Sequence, residues 1–152
     1  MSRMGNFLAR LRRRPLTPGQ YWLLLTIAGW NLASRALIPL LSLPALMRLL
    51  TPRRPTAPVT PEAMNQANQL DLYIRIVLRL NPENIGKMCL RRSLLLYRFL
   101  RRAGLPARLC IGVRRENDAL QGHAWIEIEG RHFNDTLADV PYTVTFSFPD
   151  RV

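Results

Sequence analysis

Two cysteines, Cys89 and Cys110, are the side chains of this sequence best suited to nucleophilic chemistry. A cysteine attacks as its thiolate, and the amino terminus of a helix favours that negatively charged form. Cys89 falls in the first turn of a predicted helix, whereas Cys110 lies in an apolar run typical of a buried strand. The positive charges of Lys87, Arg91 and Arg92 favour the Cys89 thiolate further. We therefore expect Cys89 to be the nucleophile and Cys110 to be inert.

A thiol nucleophile needs a base, and the sequence offers two histidines. His123 follows Gly122 at the predicted start of a strand, from which an imidazole can reach the terminus of a packed helix. The glycine would let a substrate backbone approach closely. His132 lies beside a predicted hairpin turn, where we expect a surface residue. His123 is therefore the predicted base.

An acid that holds the imidazole in one tautomer would complete a triad. Asp135 is the candidate, twelve residues after His123 across the predicted hairpin, with Asp139 in reserve. Asp135 could instead belong to a simple Asn-Asp turn. A strict two-residue turn at Glu129-Gly130 would put Asp135 on the wrong face of the sheet. The triad hypothesis therefore predicts a bulge or a longer loop near residues 129–131, which Gly130 would suit.

The sequence contains no motif typical of a metal site or of a nucleotide-binding site. Cys89, Cys110, His123 and His132 are spaced without the close pairs that zinc sites use. A glycine-rich phosphate loop is also lacking. We predict neither a metal site nor a cofactor.

The second half of the chain should supply a helix and a small antiparallel sheet. Apolar residues three or four apart predict a helix over residues 87–102, which ends before Gly104 and Pro106. Alternation of apolar and polar residues then predicts strands over 107–113, 123–129, 131–135 and 143–148. These elements predict an α+β fold in which the nucleophile helix packs on an antiparallel sheet.

The first half reads as helical. Thr17-Pro18 predicts a helix start, with an apolar face that includes Tyr21, Leu25 and Leu32, and Pro39 and Pro44 should interrupt the run that follows. Four prolines in residues 51–61 predict an extended linker, and Thr60-Pro61 restarts a helix. We predict a basic, helical amino-terminal region over 1–50, a linker over 51–61 and a catalytic domain over 62–152.

The chain carries a net charge of +12, with 22 Lys and Arg against 10 Asp and Glu. A surface with this charge attracts acidic partners of any kind. The charge is explained equally well by arginines on solvated helix faces that have no binding role. Basic runs interleaved with aromatics and zinc-finger spacings are lacking, so we predict no nucleic-acid partner.

Two cysteines without a disulfide framework favour the cytoplasm. Basic residues 10–14 before an apolar stretch suggest peripheral contact with the inner face of the membrane rather than a spanning segment.

Several motifs occur in one order along residues 60–140. They are Cys89-Leu-Arg-Arg-Ser-Leu94, Tyr97, Leu100, Gly104-Leu-Pro106, Ile111-Gly-Val113, His123-Ala-Trp125 and Asn134-Asp135. In these residues the chain resembles the lasso peptide biosynthesis B protein family. The resemblance implies a transglutaminase-like, papain-related fold, with Cys89, His123 and Asp135 as a catalytic triad.

The same resemblance implies a leader peptidase that cuts a ribosomally made precursor before a separate ATP-dependent macrocyclase closes the core peptide. The chain lacks room for a leader-recognition domain, so it resembles the split form of the family and implies a separate recognition protein as partner. Backbone N–H groups near Cys89 would hold the oxyanion, and Asn81 and Asn84 are weak candidates to assist. Two other functions stay open: acyl transfer to an amine by the same triad, and a non-catalytic basic adaptor.

Overall fold

The computed structural model describes residues 16–53, 56–80 and 88–150 of the chain. Within these ranges four helices precede a four-stranded antiparallel sheet. The α+β class expected from the sequence is therefore confirmed. Lys87, the weak oxyanion candidates Asn81 and Asn84, and the basic residues 10–14 lie outside the described residues.

The first two helices are α1, Pro18–Leu40, and α2, Leu43–Leu50. The Thr17 side chain accepts a hydrogen bond from the Gln20 N–H, and the Gln20 side chain accepts one from the Thr17 N–H. This reciprocal cap fixes the predicted start of α1. The helix continues through Pro39 and ends one residue later. Proline ends the helix here without kinking its middle, because its missing N–H matters only for the last turn.

The buried face of α1 differs from the predicted one. Its buried residues are Ile27, Asn31 and Ser34, whereas the predicted core residues Leu25 and Leu32 are 66% and 67% exposed. The prediction was wrong because α1 is apolar around most of its circumference, so periodicity alone does not select the face that packs.

The next two helices agree with the sequence. Helix α3, Pro61–Arg79, is capped by the Thr60 side chain, which accepts from the Ala63 N–H. Helix α4 spans Met88–Arg102 and therefore carries Cys89 in its first turn, as predicted. The α4 side chains Leu94, Leu96 and Leu100 are completely or almost completely buried.

The sheet contains β1, Ala107–Glu116; β2, Ala119–Ile128; β3, Arg131–His132; and β4, Thr143–Phe148. Their spatial order is β3-β2-β1-β4, with every neighbouring pair antiparallel. A two-residue turn joins β1 to β2, and both of its residues, Asn117 and Asp118, have positive φ. Asparagine and aspartate tolerate this conformation better than other residues with side chains.

Two predicted strand boundaries that affect the site were wrong, and β1 also runs to Glu116 rather than to the predicted end at Val113. Strand β2 begins at Ala119, so His123 lies within the strand, opposite Gly112 of β1, rather than at a strand start. Strand β3 ends at His132, three residues before the predicted end at Asp135. The second difference determines the geometry of the site.

Helix α4 packs between the sheet and the other helices. Buried side chains of α4, β1 and β2 form one hydrophobic core to which α1 and α2 add Ile27, Leu46 and Met47. The Ala57 N–H donates to the Gly104 carbonyl at 2.7 Å, which ties the proline-rich segment to the end of α4. The division of the chain at residues 51–61 stays a prediction.

Candidate active site

The predicted nucleophile, base and acid line one cavity of about 210 Å³. Cys89 reaches it from the first turn of α4, and its thiol is free and half-buried. His123 enters from β2, and Asp135 from the segment that follows β3. The first four N–H groups of a helix have no partner within the helix. The cavity therefore joins a thiol, an imidazole and a carboxylate near the positive end of α4.

The imidazole of His123 is bound directly to Asp135. Its Nε2 lies 3.0 Å from each carboxylate oxygen. The two side chains are only 11% and 3% exposed. Because an ionised carboxylate only accepts hydrogen bonds, Nε2 is the donor, and Nδ1 of the neutral ring keeps its lone pair. The contact with Asp135 therefore favours the tautomer in which Nδ1 can accept a proton.

The hairpin between β2 and β3 is regular, contrary to the prediction of a bulge or longer loop. Ile128 pairs with Arg131, and the turn residues Glu129 and Gly130 both have positive φ. A two-residue turn with these φ angles has a backbone twist that matches the twist of the two flanking strands. The irregularity comes four residues later at Asn134, whose φ is 49°. The backbone turns there after the Phe133 N–H has donated to the Ile126 carbonyl at 2.8 Å, and Asp135 reaches the face that carries His123.

A polar network holds Asn134 in this conformation. Its carbonyl accepts from Arg75 at 2.9 Å and from Arg92 at 3.0 Å. Its side-chain amide donates to Asn68 at 2.9 Å and to Asp71 at 3.2 Å. The segment that carries Asp135 is thereby fixed to α3 and α4.

The centre of this network is Asp71, which is 4% exposed. Its carboxylate accepts from Arg75 Nε at 3.0 Å and from Arg92 Nε at 2.9 Å. The buried negative charge therefore has two guanidinium partners, which offset the cost of removing it from water. Sequence reasoning missed this network. Its one local signal is the four-residue spacing of Asp71 and Arg75 on a helix.

The environment of Asp135 favours its charged form. Burial alone would raise the pKa of this carboxyl, but hydrogen bonds from the Leu137 N–H and from His123 outweigh burial and lower the pKa. His132 contributes in the same direction, with its Nδ1 3.4 Å from the carboxylate. Asp135 is therefore ionised at neutral pH.

Aromatic rings surround His123. Its ring stacks on Trp125 with 5.9 Å between centroids and lies 5.2 Å from Tyr142. The ring of His132 also stacks on Trp125, with 5.3 Å between the ring centroids. His132 is an exposed residue, as expected, but its contacts with Trp125 and Asp135 were not foreseen. The rings restrict how far the His123 imidazole can rotate.

Gly112 makes this packing possible. A Cβ at this position would lie 2.9 Å from the Thr143 carbonyl oxygen and 3.0 Å from both Trp125 and Tyr142. Strand β1 also shifts its register against β4 between Ile111 and Gly112. The absence of a side chain lets the two aromatic residues close over the strand beside His123.

The other charged residues that the sequence suggested for the site differ in whether they line the cavity. Arg92 lines the cavity, but Arg91 donates to Asn31 in α1 at 3.1 Å and so faces away from the thiol, contrary to the expectation for Arg91. The reserve acid Asp139 is exposed and does not line the cavity. In the described part of the chain no group of three or more His, Cys, Asp and Glu side chains is arranged to hold a metal ion.

Cys110 occupies a different environment, as predicted. It is 1% exposed within β1. Burial, together with the nearby charge of Glu127, raises the pKa of its thiol to about 12. A thiol with that pKa is almost entirely protonated at neutral pH, so Cys110 is a poor nucleophile.

Comparison with protein families gives one match. A model described as the transglutaminase-like superfamily matches residues 28–147. The matched range contains Cys89, His123 and Asp135, together with α2, α3 and α4 and nearly all of the sheet. No match was found among curated proteins or among solved structures.

Proposed function

Because this chain belongs to the transglutaminase-like superfamily, we propose that it is a cysteine peptidase acting through Cys89, His123 and Asp135. The superfamily includes cysteine peptidases and acyltransferases, and its members are typically cysteine-dependent enzymes. The observation that carries the proposal is the His123–Asp135 hydrogen bond in the cavity that Cys89 lines from the start of α4. A free thiol, a base that keeps one lone pair and an acid that orients the base are the groups that thiol-mediated acyl transfer needs.

In the first half of the reaction, His123 Nδ1 takes the proton of the Cys89 thiol while Nε2–H stays bonded to Asp135. The thiolate attacks the scissile carbonyl, and the negative charge moves to the carbonyl oxygen. N–H groups in the first turn of α4 would stabilise that oxyanion. The carbon–nitrogen bond then breaks, and the imidazolium returns its proton to the leaving amine. The product is a thioester on Cys89 and a free amine.

In the second half, water enters the space that the amine has left. His123 takes a proton from the water, and the resulting hydroxide attacks the thioester carbonyl. The carbon–sulfur bond breaks, the thiol regains its proton from the imidazolium, and the released carboxylic acid loses its own proton to solvent. Asp135 remains ionised throughout and stabilises the imidazolium that forms twice in each cycle.

The proposed substrate is the leader–core junction of a ribosomally synthesised precursor peptide in lasso peptide biosynthesis. Support comes from the ordered motifs around Cys89, Gly104, Ile111, His123 and Asn134, by which the sequence resembles the lasso peptide B family. On this proposal a separate recognition protein presents the leader, and an ATP-dependent macrocyclase uses the released core peptide. The proposed compartment is the cytoplasm, where the precursor is synthesised and where both free thiols would stay reduced.

A product analysis tests the proposal. The neighbouring genes are searched for a short precursor and a recognition protein, the chain is incubated with both, and the products are weighed by mass spectrometry. We expect two peptides whose masses sum to that of the precursor plus one water. An intact precursor under these conditions, with the cysteine still reduced, would contradict leader removal.

Acyl transfer to an amine is the second candidate, favoured by the family match itself. The thioester on Cys89 would then be attacked by a primary amine instead of water. Adding a fluorescent primary amine with a glutamine-containing peptide separates the two functions. A stable fluorescent adduct on the peptide would support the transferase, and hydrolysis alone would support the peptidase.

The basic adaptor is distinguished by thiol reactivity. An enzyme of either class needs a nucleophilic Cys89, whereas an adaptor does not. We expect iodoacetamide to label Cys89 in the folded protein and to leave Cys110 unlabelled until the protein is denatured, because Cys110 is buried and protonated. Equal inertness of both thiols in the folded state would favour the adaptor.

A further inference from the structure

Helix α1 presents an uncharged face to solvent along its whole length. The exposed positions include Trp22, Leu25, Gly29, Leu32 and Ala36, which recur three and four residues apart. The three large side chains among them are 66–73% exposed. The exposed face of a helix on a water-soluble domain normally carries charged residues, but the single charged residue of α1, Arg35, is not on this face.

The opposite face of α1 is fixed to the rest of the protein. Asn31 is buried and accepts a hydrogen bond from Arg91 of α4 at 3.1 Å. The ring of Trp30 lies 3.5 Å from the guanidinium carbon of Arg98, also in α4. By length and composition α1 could cross a membrane, but a helix with one face docked in this way is positioned to lie along a surface.

The net charge of the chain indicates which kind of partner could cover the exposed face of α1. The net charge is +12, and Arg10, Arg12, Arg13 and Arg14 lie shortly before the start of the helix in the sequence. Two copies of so basic a chain repel each other. Anionic lipid headgroups attract it, and an apolar helix face beside basic residues is the combination that binds in the plane of a bilayer interface. Tyr21 and Trp22 lie near the first turn of α1, which follows these arginines in the sequence, and these side chains prefer the interface.

We infer that the exposed face of α1 binds peripherally to an anionic membrane surface, with Trp22, Leu25 and Leu32 entering the headgroup–acyl boundary. This binding is independent of the chemistry at Cys89. It would hold the catalytic domain at the membrane through a helix that the domain itself orients.

Vesicle sedimentation of the full chain tests the inference. We expect the protein to sediment with vesicles of phosphatidylcholine and phosphatidylglycerol and to stay largely in solution with phosphatidylcholine alone. The double variant Trp22→Glu and Leu25→Glu should lower partitioning into the anionic vesicles by at least about 10-fold. The matched control, Leu120→Glu with Val144→Glu, adds the same two negative charges at exposed apolar positions of the sheet and should bind much more tightly than the α1 variant.

Folding and self-association are checked on the same proteins. Circular dichroism should show equal helix content, and Leu32→Ser, a milder change on the same face, should lower vesicle binding if the double variant proves unstable. Failure of the unmodified chain to bind anionic vesicles would overturn the inference. So would equal binding by the α1 variant and the control, or a dimer in solution that the α1 variant abolishes without any vesicle binding.

Discussion

His123 Nε2 lies 3.0 Å from both carboxylate oxygens of Asp135, although the register of their hairpin would place the two side chains on opposite faces of the sheet. If the pairing of Ile128 with Arg131 continued, Asp135 would lie across from Ala124. The left-handed Asn134 breaks that alternation. The contact therefore depends on one residue outside the strand and on the arginines that hold its carbonyl.

Removal of Asp135 should impair catalysis more than folding. Asp135→Ala leaves the His123 tautomer unfixed and the imidazolium without a counter-charge, so we expect kcat to fall by at least about 100-fold. Asp135→Asn keeps one acceptor oxygen and should lose less. Peptide cleavage followed by chromatography gives the rates. Asp139→Ala is the control, because Asp139 is exposed and outside the cavity; equal rates for Asp135→Ala and this control would refute the role of Asp135.

The contribution of Asp135 to stability should persist into acid. Folding lowers the pKa of its carboxyl, so the stabilising effect of the charged form is fully present above the unfolded pKa of about 3.9. It is lost only as the pH falls through the still lower folded value. The difference in free energy of unfolding between the wild type and Asp135→Asn should therefore not decline between neutral pH and about pH 4.5. Urea denaturation across that range measures it, and a decline that begins near pH 6 would contradict the account.

Asp71 should be far more important for stability than an exposed aspartate with a similar partner. Asp71→Asn leaves the Arg75 and Arg92 guanidiniums without their shared counter-charge, and we expect a loss of about 2–3 kcal/mol in the free energy of unfolding. Asp118→Asn is the matched control, because its pair with Arg115 is highly exposed. That change should cost less than about 1 kcal/mol. Similar urea midpoints for the two variants would show that the network does not stabilise the fold.

Gly112→Ala should disturb the aromatic residues that pack beside His123. The new methyl group would meet the Thr143 carbonyl oxygen at 2.9 Å and push against Trp125 and Tyr142. We expect a loss of about 1–3 kcal/mol in stability, with a lower kcat because the rings beside His123 shift. Gly122→Ala is the control for stability, since the nearest atom to its added Cβ is 4.0 Å away. Thermal unfolding of both variants decides the matter; an unaffected Gly112→Ala would show that the strand tolerates a side chain there.

Features of the fold that depend on local sequence could be predicted. Thr17 and Thr60 cap helices that begin at the following proline, and the position of Cys89 in α4 follows from apolar periodicity around it. These features need only neighbouring residues, so one sequence is enough to reveal them.

Other features depend on distant contacts and could not be predicted in this way. The conformation of Asn134 is held by Arg75 and Arg92, which lie 59 and 42 residues away in the chain. The extension of β2 back to Ala119 is a different case, because it depends on a local turn at Asn117 and Asp118, two residue types that are typical of turns. The buried face of α1 is selected by Arg91 and Arg98 of another helix.

The central claim is that Cys89 carries the acyl group in peptide cleavage, and single-cysteine variants test it most directly. Cleavage of the precursor is followed by mass spectrometry for the wild type, Cys89→Ala and Cys110→Ala, each checked by circular dichroism for folding. We predict that Cys110→Ala still cleaves and that Cys89→Ala, although folded, shows no cleavage above the uncatalysed rate. Cleavage by Cys89→Ala at a rate near that of the wild type would contradict the account.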